Sequence, residues 1–297
     1  MPELPEVEVV RRGLTPYLQN STINRVEVRH DRAVRRNQGS FPDQLQGSLI
    51  HHISRRGKFL WCVLDQPEAL VVHLGMSGQF RVYPWTDKGA PTEERSHPHL
   101  RILCELEQSS GAVFDLHFLD QRTFGGMHVS PLVSGDHADH IPESVKHIAR
   151  DPLDPQFDVV DFISKIHNSQ SEIKRVLLNQ SIISGIGNIY ADEALFRSGI
   201  HGSVMGAELT AETILQLVAH VTDVMNESLD EGGTSFDALY VNVNGESGYF
   251  SRSLSVYGRE SEPCDRCGSD IQRISFMNRS SFFCGKCQPR TSAVAHS

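Results

Sequence analysis

Short alternating runs of hydrophobic and polar residues fill the first part of the chain, and helical spacing fills the second. Between residues 23 and 130, clusters of Gly, Pro, Asn or Ser separate the apolar runs, a pattern typical of antiparallel strands. The runs are INRVEVRH, FLWCVLD, ALVVHLG, LRILCEL and AVFDLHFLD. A short helical pattern over 6–20, just after Pro5, precedes them. We therefore predict a strand-rich domain over 1–135 that begins with one helix.

A proline-rich stretch separates this domain from the helical part. Residues 131–157 contain four prolines among acids and histidines, and we place a linker over 136–157. Four segments with helical periodicity follow, and the last ends at a pair of glycines, as helices often do. The segments are VVDFISKIHN, SEIKRVLLNQ, NIYADEALFRSGI and AETILQLVAHVTDVMNESL. The predicted fold class is α+β, with a helical domain over 158–250 and a disordered tail over 291–297.

Four of the six cysteines form two closely spaced pairs near the C-terminus. Sixteen residues separate the pair Cys264 and Cys267 from the pair Cys284 and Cys287. This spacing is typical of one structural zinc ion held by four thiolates, and it predicts a zinc-finger segment over 251–290. Disulfide bonds are the alternative. No secretory signal or membrane-spanning run precedes the cysteines, so we expect a reducing, cytoplasmic compartment and no membrane partner.

The first residues carry a candidate nucleophile. Removal of Met1, which precedes a small residue, would leave the secondary amine of Pro2 at the start of the chain. An α-amino group titrates near ~7.7–8.0, against ~10.4 for a Lys side chain, so it can attack an aldehyde-like carbon at neutral pH. Glu3 and Glu6 offer carboxylates for proton transfer. The alternative is a proline-stiffened arm before a helix, and these residues alone do not decide between the two.

Charge is unevenly distributed along the chain. The net charge of −9 argues against strong non-specific binding to DNA. Residues 21–60 nevertheless contain eight Lys and Arg against three Asp and Glu, and residues 251–290 contain seven against four. Residues 201–240 contain seven acids and no Lys or Arg. Acidity is thus concentrated in part of the chain, and the net charge does not exclude DNA binding.

Six separated motifs together resemble one family. They are the PELPEVEVVRRGL start, RGK at 56–58, HLGMSG at 73–78, DQRTFGG at 120–126, GIGNIYADEALF at 185–196 and the segment from SVYGR to CQ around the cysteines. In this order they resemble the bacterial formamidopyrimidine-DNA glycosylases. The related endonuclease VIII-like enzymes typically begin PEGPE, so Leu4 favours the branch that acts on purines.

The resemblance implies a fold and an activity. The strands would form a two-layered antiparallel β-sandwich, and the helices a helix–two-turn–helix domain with a four-Cys zinc-finger β-hairpin. The protein would be a monomeric bifunctional DNA glycosylase and AP lyase. It would excise oxidised purines such as 8-oxoguanine from double-stranded DNA, through a Schiff base between Pro2 and C1′ followed by β,δ-elimination. Abasic sites would also be substrates, and the segment 234–250 would form a lesion-recognition loop.

The resemblance also assigns the catalytic residues. Pro2 would be the nucleophile and Glu3 the general acid and base. Glu6 would support both through hydrogen bonds or water. Lys58 would contact the phosphate or the lesion near Pro2, whereas on sequence alone it is a solvated Lys at a strand start.

Three residues would probe the DNA around the flipped base. Met76 and Phe124 would wedge into the base stack, and Arg122 would bind the orphaned cytosine. Core packing is the alternative for Met76 and Phe124. Relatives often carry Pro and Arg where this chain has Gln121 and Thr123, which puts secondary phosphate contacts in doubt.

Four further residues would contact the DNA backbone. Arg279, between the cysteine pairs, would grip phosphates that flank the lesion, and a stacked surface Arg is the alternative. Asn188 would hold a phosphate at a helix N-terminus, although an Asn there can also be an N-cap. Lys174 would contact a phosphate. His97, in a His-x-His pattern with His99, would contact the strand near the lesion; metal binding by this pair lacks a third ligand.

Two other functions stay open at this level. A non-catalytic zinc-ribbon protein that binds nucleic acid would be indifferent to Pro2 and Glu3. An endonuclease VIII-type glycosylase would prefer oxidised pyrimidines.

Overall fold

The chain folds into two compact units. The computed structural model describes residues 2–86, 89–135, 140–234, 250 and 253–290. One unit comprises Met1–His147 with Gly232–Tyr249, and the other comprises Ile148–Glu231 with Phe250–Ser297. The first contains an N-terminal helix and a large sheet, and the second contains helices and a hairpin that carries the four cysteines. The predicted tail over 291–297 lies outside the described residues.

The first unit begins with helix α1 (Leu4–Leu18). Apolar residues at helical spacing, such as Leu4, Val7, Leu14 and Leu18, are buried on one face. The helix begins earlier than the sequence pattern predicts and includes Pro5, because a proline in the first turn lacks only an N–H that would have no partner there.

Nine antiparallel strands form the sheet of the first unit. They are β1 (Ser21–Val28), β2 (Leu49–Arg56), β3 (Phe59–Leu64), β4 (Glu68–His73), β5 (Gly78–Pro84), β6 (Leu100–Gln108), β7 (Val113–Asp120), β8 (Gly126–Ser134) and β9 (His140–Pro142); a short helix α2 (Phe41–Leu45) lies between β1 and β2. The order is β5-β7-β6-β1-β2-β3-β4-β8-β9. Strands β2, β5 and β8 were not among the predicted runs, because polar and basic residues interrupt their apolar pattern.

Both halves of this sheet contribute to one hydrophobic core. Phe80, Ile102 and Leu116 from one half belong to the same buried cluster as Leu60 and Val72 from the other. The continuous order therefore folds onto itself as the two-layered sandwich that was predicted, and helix α1 adds its apolar face to that core.

Part of the segment predicted as a linker is ordered structure. Strand β9 pairs with β8, and Glu143–Val145 forms a 3₁₀ turn directly after it. Pro142 is accommodated because β9 is the outermost strand, where a missing N–H breaks no ladder.

The second unit contains four α-helices and one hairpin among the described residues. They are α3 (Val159–His167), α4 (Ile173–Leu177), α5 (Asn188–Arg197), α6 (Ala211–Asp230), β10 (Ile271–Phe276) and β11 (Arg279–Cys284). Helix α4 is shorter than predicted: the Oδ1 of Asn179 accepts a hydrogen bond from the backbone N–H of Ser181 (3.1 Å), a local turn that competes with the helix. No described helix combines the length and the apolar character needed to cross a bilayer.

A buried carboxylate joins helix α1 to strand β2. Glu8 accepts hydrogen bonds from Arg11 (2.8 Å), Arg12 (2.9 Å) and Arg55 (3.0 Å). Burial alone would raise the pKa of Glu8, but hydrogen bonds and charge from Arg11, together with Arg55 and Arg12, outweigh it and lower the pKa to about 2. Arg55 is the partner on the sheet, so this cluster fixes the helix on the sandwich.

Glu8→Gln should therefore weaken the fold in a pH-dependent way. The folded pKa of about 2 lies below the ordinary value of 4.5, so the carboxylate stabilises the native state above about pH 4.5 and loses this effect as pH falls toward 2. We expect Glu8→Gln to lower the free energy of unfolding by roughly 1–3 kcal/mol at neutral pH, a range that is discounted for partial exposure. Near pH ~3 the decrease should be much smaller. Urea unfolding at the two pH values measures both. Glu93→Gln, at an exposed site without an ion pair among the described contacts, is the control; an equal loss at both pH values would contradict the assignment.

Candidate functional site

The N-terminal residues of the first unit are buried and held by Glu6. Pro2 is buried, and Glu3 is only 3% exposed. The Oε2 of Glu6 accepts a hydrogen bond from the backbone N–H of Glu3 (2.8 Å). Its Oε1 accepts two more, from the backbone N–H and the hydroxyl of Thr234, both at 2.8 Å. Glu6 therefore fixes the start of helix α1 against a segment that follows helix α6 in sequence.

Close packing at Gly233 makes this arrangement specific. Gly233 has a φ of +90°, and a Cβ there would lie 3.3 Å from the Cγ of Glu6. Only glycine combines this backbone conformation with so close an approach. Most of the predicted lesion-recognition loop, residues 235–249, lies outside the described residues.

Lys58 lies in the two-residue turn between β2 and β3, beside Gly57, which has a φ of +55°. The sequence placed it at a strand start, and β3 begins one residue later. Its side chain is 9% exposed, so Lys58 is not the solvated lysine that was the alternative. Burial, followed by the charges of Arg36 and Lys58, lowers the pKa of His73 to about 4.

Two adjacent loops expose the predicted DNA-probing residues. Met76 and Phe124 are each 40% exposed, so core packing, the alternative for both, is wrong. The loops are in direct contact, because a Cβ on Gly75 would lie only 2.3 Å from the backbone nitrogen of Gly125. The guanidinium of Arg122 lies over the Phe124 ring, 5.2 Å from its centre.

Asp120 organises these loops and was not predicted as a site residue. It is 1% exposed. Its carboxylate accepts hydrogen bonds from the hydroxyl of Ser77 (2.6 Å) and from the backbone N–H groups of Arg122 (3.2 Å) and Gly125 (2.7 Å). The available signal was its position at a strand end before a turn, where Asp commonly bonds to backbone N–H groups.

The loop that carries Phe124 also contains a strained residue. Thr123 has a φ of +51°, a conformation that is unfavourable for a β-branched residue. Strain of this kind persists only where surrounding contacts impose it, and here the Asp120 hydrogen bonds do so.

His97 is exposed at the surface of the first unit, and its Nδ1 accepts a hydrogen bond from the backbone N–H of His99 (3.1 Å). Partial burial, followed by the charges of His99 and His117, lowers its pKa. Within the described ranges, only the four cysteines form a group of three or more potential metal ligands, so no third ligand completes a His97–His99 site.

In the second unit, Asn188 is the first residue of helix α5, and the N-cap position belongs to Gly187. The N-cap alternative for Asn188 is therefore wrong. Its Nδ2 donates instead to the backbone carbonyl of Ser280 (2.7 Å), next to Arg279 at the start of β11. Asn188 thus supports the hairpin strand that carries Arg279.

Lys174 is fully buried, which corrects the prediction that it contacts a DNA phosphate. Its Nζ lies 2.6 Å from the Oδ1 of Asp192 in an ion pair without solvent exposure. The sequence could not separate this role from a surface contact, because a Lys on a short helix is compatible with both.

Two consecutive acids of helix α5 anchor the zinc segment. Asp192 accepts hydrogen bonds from the hydroxyl of Ser281 and the backbone N–H of Phe282, both at 3.0 Å. Burial raises the pKa of Asp192 to about 6, against the lowering effects of Lys174 and these donors. Glu193, which is also buried, accepts from three successive backbone N–H groups over 255–257, at 2.8–2.9 Å.

The four cysteines fit a tetrahedral zinc ion. All four Sγ atoms lie within 4.8 Å of one another, with Cys264 and Cys287 at 3.9 Å and Cys267 and Cys284 at 3.5 Å. A Zn–S distance of ~2.3 Å in a tetrahedron places sulfurs about 3.8 Å apart, so these separations match one ion with four ligands.

The hairpin that joins the cysteine pairs presents Arg279. Met277 and Asn278 form its two-residue turn, and both have positive φ (+47° and +59°). Such a turn matches the twist of the two strands and fixes their register. Arg279 follows directly, with an exposed side chain.

Three family profiles match successive parts of the chain. They describe the formamidopyrimidine-DNA glycosylase N-terminal domain over residues 1–127, the H2TH domain of the same enzyme over 148–238, and a zinc finger found in FPG and IleRS over 261–290. The formamidopyrimidine-DNA glycosylase (FPG) of Rhodococcus jostii is 53% identical over 293 residues, covering 97% of this chain and 96% of that protein. The chain belongs to the formamidopyrimidine-DNA glycosylase family. The FPG of Mycolicibacterium smegmatis is 52% identical, covering 98% of each chain.

Solved structures of this family share the fold. A complex of a Lactococcus lactis FPG variant with DNA containing Fapy-dG has a TM-score of 0.81 at 31% identity, covering 97% of this chain and 100% of that one. A complex of L. lactis FPG with abasic-site DNA has a TM-score of 0.80 at 30% identity, covering 97% of this chain and 99% of that one. Family membership confirms the predicted class of DNA glycosylase in base excision repair, the fold class and the structural zinc.

Cys284→Ser should abolish zinc binding and loosen the hairpin. The substitution removes one of four ligands, and a hydroxyl is a much poorer ligand for zinc than a thiolate. We expect the metal content to fall from one zinc per chain to well below one, and protease cleavage to increase within 264–287. Cys104→Ser, the same substitution at a buried cysteine of the sandwich core, should keep its zinc. Full zinc content in Cys284→Ser would remove that residue from the ligand set.

Proposed function

We propose that the protein excises oxidised purines from double-stranded DNA and then cleaves the resulting abasic site. The observation that carries this proposal is the Glu6 network, which holds Pro2 and Glu3 in fixed, buried positions at the start of α1. A nucleophile and a carboxylate fixed at adjacent positions are what a Schiff-base lyase requires.

The chemistry would begin with the amine of Pro2, after Met1 has been removed. The amine attacks C1′ of the flipped nucleotide, the bond from C1′ to the base breaks, and the base leaves with a proton. Glu3 protonates the ring oxygen O4′, and the sugar opens to an iminium ion. The iminium acidifies the C2′–H. Loss of that proton expels the 3′ phosphate, and loss of the C4′–H then expels the 5′ phosphate. Water hydrolyses the remaining iminium, which releases the sugar fragment as an aldehyde and frees the Pro2 amine.

Glu6 would act by positioning rather than by transferring protons. Both of its oxygens already accept hydrogen bonds, from Glu3 and from Thr234. Lys58, a residue that is only 9% exposed, would supply positive charge for the lesion or its phosphate.

Recognition of the lesion would use the exposed loop residues. Extrusion of a base leaves a gap in the stack, and Met76 and Phe124 are exposed apolar side chains that can fill it. Arg122, beside the Phe124 ring, would donate to the base left unpaired. The Asp120 hydrogen bonds hold this loop in shape before DNA arrives, which reduces the entropy lost on binding.

The second unit would contact the DNA backbone through Arg279, with Asn188 at the N-terminus of α5. His97 would contact the strand from the first unit. We propose that the protein acts as a monomer, since one chain carries all of the proposed catalytic and DNA-contacting residues.

Oxidised pyrimidines are a second candidate substrate class. A wild-type L. lactis FPG, with a TM-score of 0.79 at 30% identity, was solved with DNA containing an oxidised pyrimidine. Excision rates on matched duplexes with 8-oxoguanine or an oxidised pyrimidine rank the two classes.

A free Pro2 amine should be essential for covalent trapping. Protein that has lost Met1, incubated with an 8-oxoguanine·C duplex and borohydride, should form a reduced covalent complex with the DNA. Protein that retains Met1 or an N-terminal tag should bind the same duplex but form no adduct, because its Pro2 nitrogen is an amide. Pro2→Gly keeps an α-amine and should retain part of the trapping. Intact mass establishes the N-terminus of each sample, and efficient trapping by unprocessed protein would exclude Pro2 as the nucleophile.

Arg122→Ala should reduce discrimination between bases opposite the lesion. The guanidinium is a donor only, and cytosine offers two acceptors on its Watson–Crick edge, whereas adenine offers one beside its amino donor. Loss of a bidentate contact costs about 1–3 kcal/mol, so the C-over-A preference should narrow by about ten-fold or more. Single-turnover excision rates on the two duplexes measure it. Gln121→Ala, an exposed neighbour, should keep the preference, and an unchanged ratio in Arg122→Ala would make Arg122 a backbone contact only.

A further inference from the structure

A basic pocket lies directly behind Phe124 in the first unit. It encloses about 280 Å³ including its open mouth, and the backbone of 125–127 forms part of its wall. Its lining includes the side chains of Arg32, Arg35, Arg36, His73, His128 and Phe124, and we term this site the arginine pocket. No Asp or Glu is among its lining residues.

Backbone contacts and hydrogen bonds join the segments that form the wall of the arginine pocket. A Cβ on Gly126 would lie 2.3 Å from the backbone oxygen of Ala33, so the two segments are in direct contact. Arg35 joins them again by donating to the backbone carbonyls of Thr123 and Phe124, both at 3.3 Å. The pocket is therefore already formed in the protein alone.

The positive charge of the pocket is not neutralised within the described structure. Arg32, Arg35 and Arg36 form no ion pair among the described residues, and Arg36 forms no hydrogen bond there either. Other arginines of this unit do have carboxylate partners: Arg25 pairs with Glu105, and Arg95 with Asp115. In a chain with a net charge of −9, three neighbouring arginines without a carboxylate indicate an external anion.

Two histidines of the arginine pocket have lowered pKa values. Burial, then the charge of Arg36, lowers the pKa of both His73 and His128, and for His73 the charges of Lys58 and Arg35 add to the effect. The Nδ1 of His73 accepts a hydrogen bond from the backbone N–H of Gly75 (3.1 Å). The neutral ring of His73 therefore carries its proton on Nε2. Both histidines are thus uncharged at neutral pH, and the arginines alone carry the charge of the pocket.

The position of the pocket narrows the choice of anion. Arg32 and Arg122 lie over the Phe124 ring, at 5.5 Å and 5.2 Å from its centre. Phe124 is the side chain that, under the proposed function, enters the base stack. An anion in the arginine pocket would then lie within a few ångströms of the duplex at the point of entry.

We infer that the arginine pocket holds one phosphodiester group of the DNA backbone, with Arg36 as its principal ligand, close to the step that Phe124 enters. This inference rests on the proposed function. Arg36 is the residue whose guanidinium is available to a bidentate acceptor, since Arg35 is already bonded to backbone carbonyls. The phosphate can belong to the damaged strand or to its complement.

Replacing single phosphodiesters of the DNA by uncharged methylphosphonates identifies the phosphate that the pocket binds. Duplexes with a stable abasic-site analogue, each with a single methylphosphonate at successive positions on either strand, are titrated with wild-type protein and with Arg36→Ala. We expect one linkage whose neutralisation weakens wild-type binding, and we expect that penalty to shrink in Arg36→Ala while the penalties elsewhere persist. The strand that carries this linkage is the source of the phosphate.

Salt dependence provides the second readout. Loss of one phosphate contact should lower the slope of log K against log salt by about 0.9, so that between 50 and 200 mM salt the wild type loses about three- to four-fold more affinity than Arg36→Ala. Arg36→Lys, which retains the charge, should recover most of the slope. Arg25→Ala, the same charge change at an ion-paired site of the same unit, should leave the slope unchanged.

The inference fails if Arg36→Ala and wild type show the same penalty at every linkage and the same salt slope. Thermal melting establishes whether Arg36→Ala is folded. We expect it to fold, because Arg36 is exposed. Failure of the proposed function is a separate result: it is the absence of a borohydride-trapped adduct with processed wild-type protein, whereas Arg36→Ala should still form the adduct at saturating DNA.

Discussion

The functional parts of this protein depend on one interaction, the hydrogen bond from a backbone N–H to a buried carboxylate. Glu6, Asp120, Asp192 and Glu193 are each at most 3% exposed, and each bonds at least one backbone N–H. A buried carboxylate is costly unless its oxygens are satisfied, so each of these residues demands a particular arrangement of the segments around it. The segments that carry the proposed site residues are therefore fixed by polar bonds, and the apolar core only supports them.

The four carboxylates serve different segments but act in the same way. Asp120 shapes the loop that presents Phe124, including the left-handed Thr123, and Glu6 fixes the residues at the N-terminus. Asp192 and Glu193, adjacent on helix α5, hold two separate stretches of the zinc segment. Zinc closes that segment on itself, and the helix sets where it lies within its unit. Under the proposed function, zinc would therefore have a structural role, and the position of Arg279 would depend on it.

Much of the architecture could be predicted from sequence, for physical reasons that can be named. The two CxxC pairs predicted the zinc site because a tetrahedral ion tolerates few spacings, and helices α3 and α6 have strong apolar periodicity. Strand β2 was missed because LIHHISRR lacks such a pattern. Lys174 was misassigned because its partner, Asp192, lies on another helix, and no local pattern encodes a pairing across the fold. For Asp120 the bonds to its own turn had a local signal, but its bond to Ser77 had none, since that bond depends on how two loops meet.

The hydrogen bonds between Glu6 and Thr234 span 228 residues of sequence. This separation has a consequence for biosynthesis. Ribosomes add about 5–20 residues per second, so at least roughly ten seconds pass between the emergence of Glu6 and that of its partner. Until then the N-terminal segment lacks the two hydrogen bonds that Thr234 donates to the Glu6 carboxylate, and closing so long a loop carries an entropic penalty. The N-terminus is thus the first part of the chain to be made and among the last to be fixed in place.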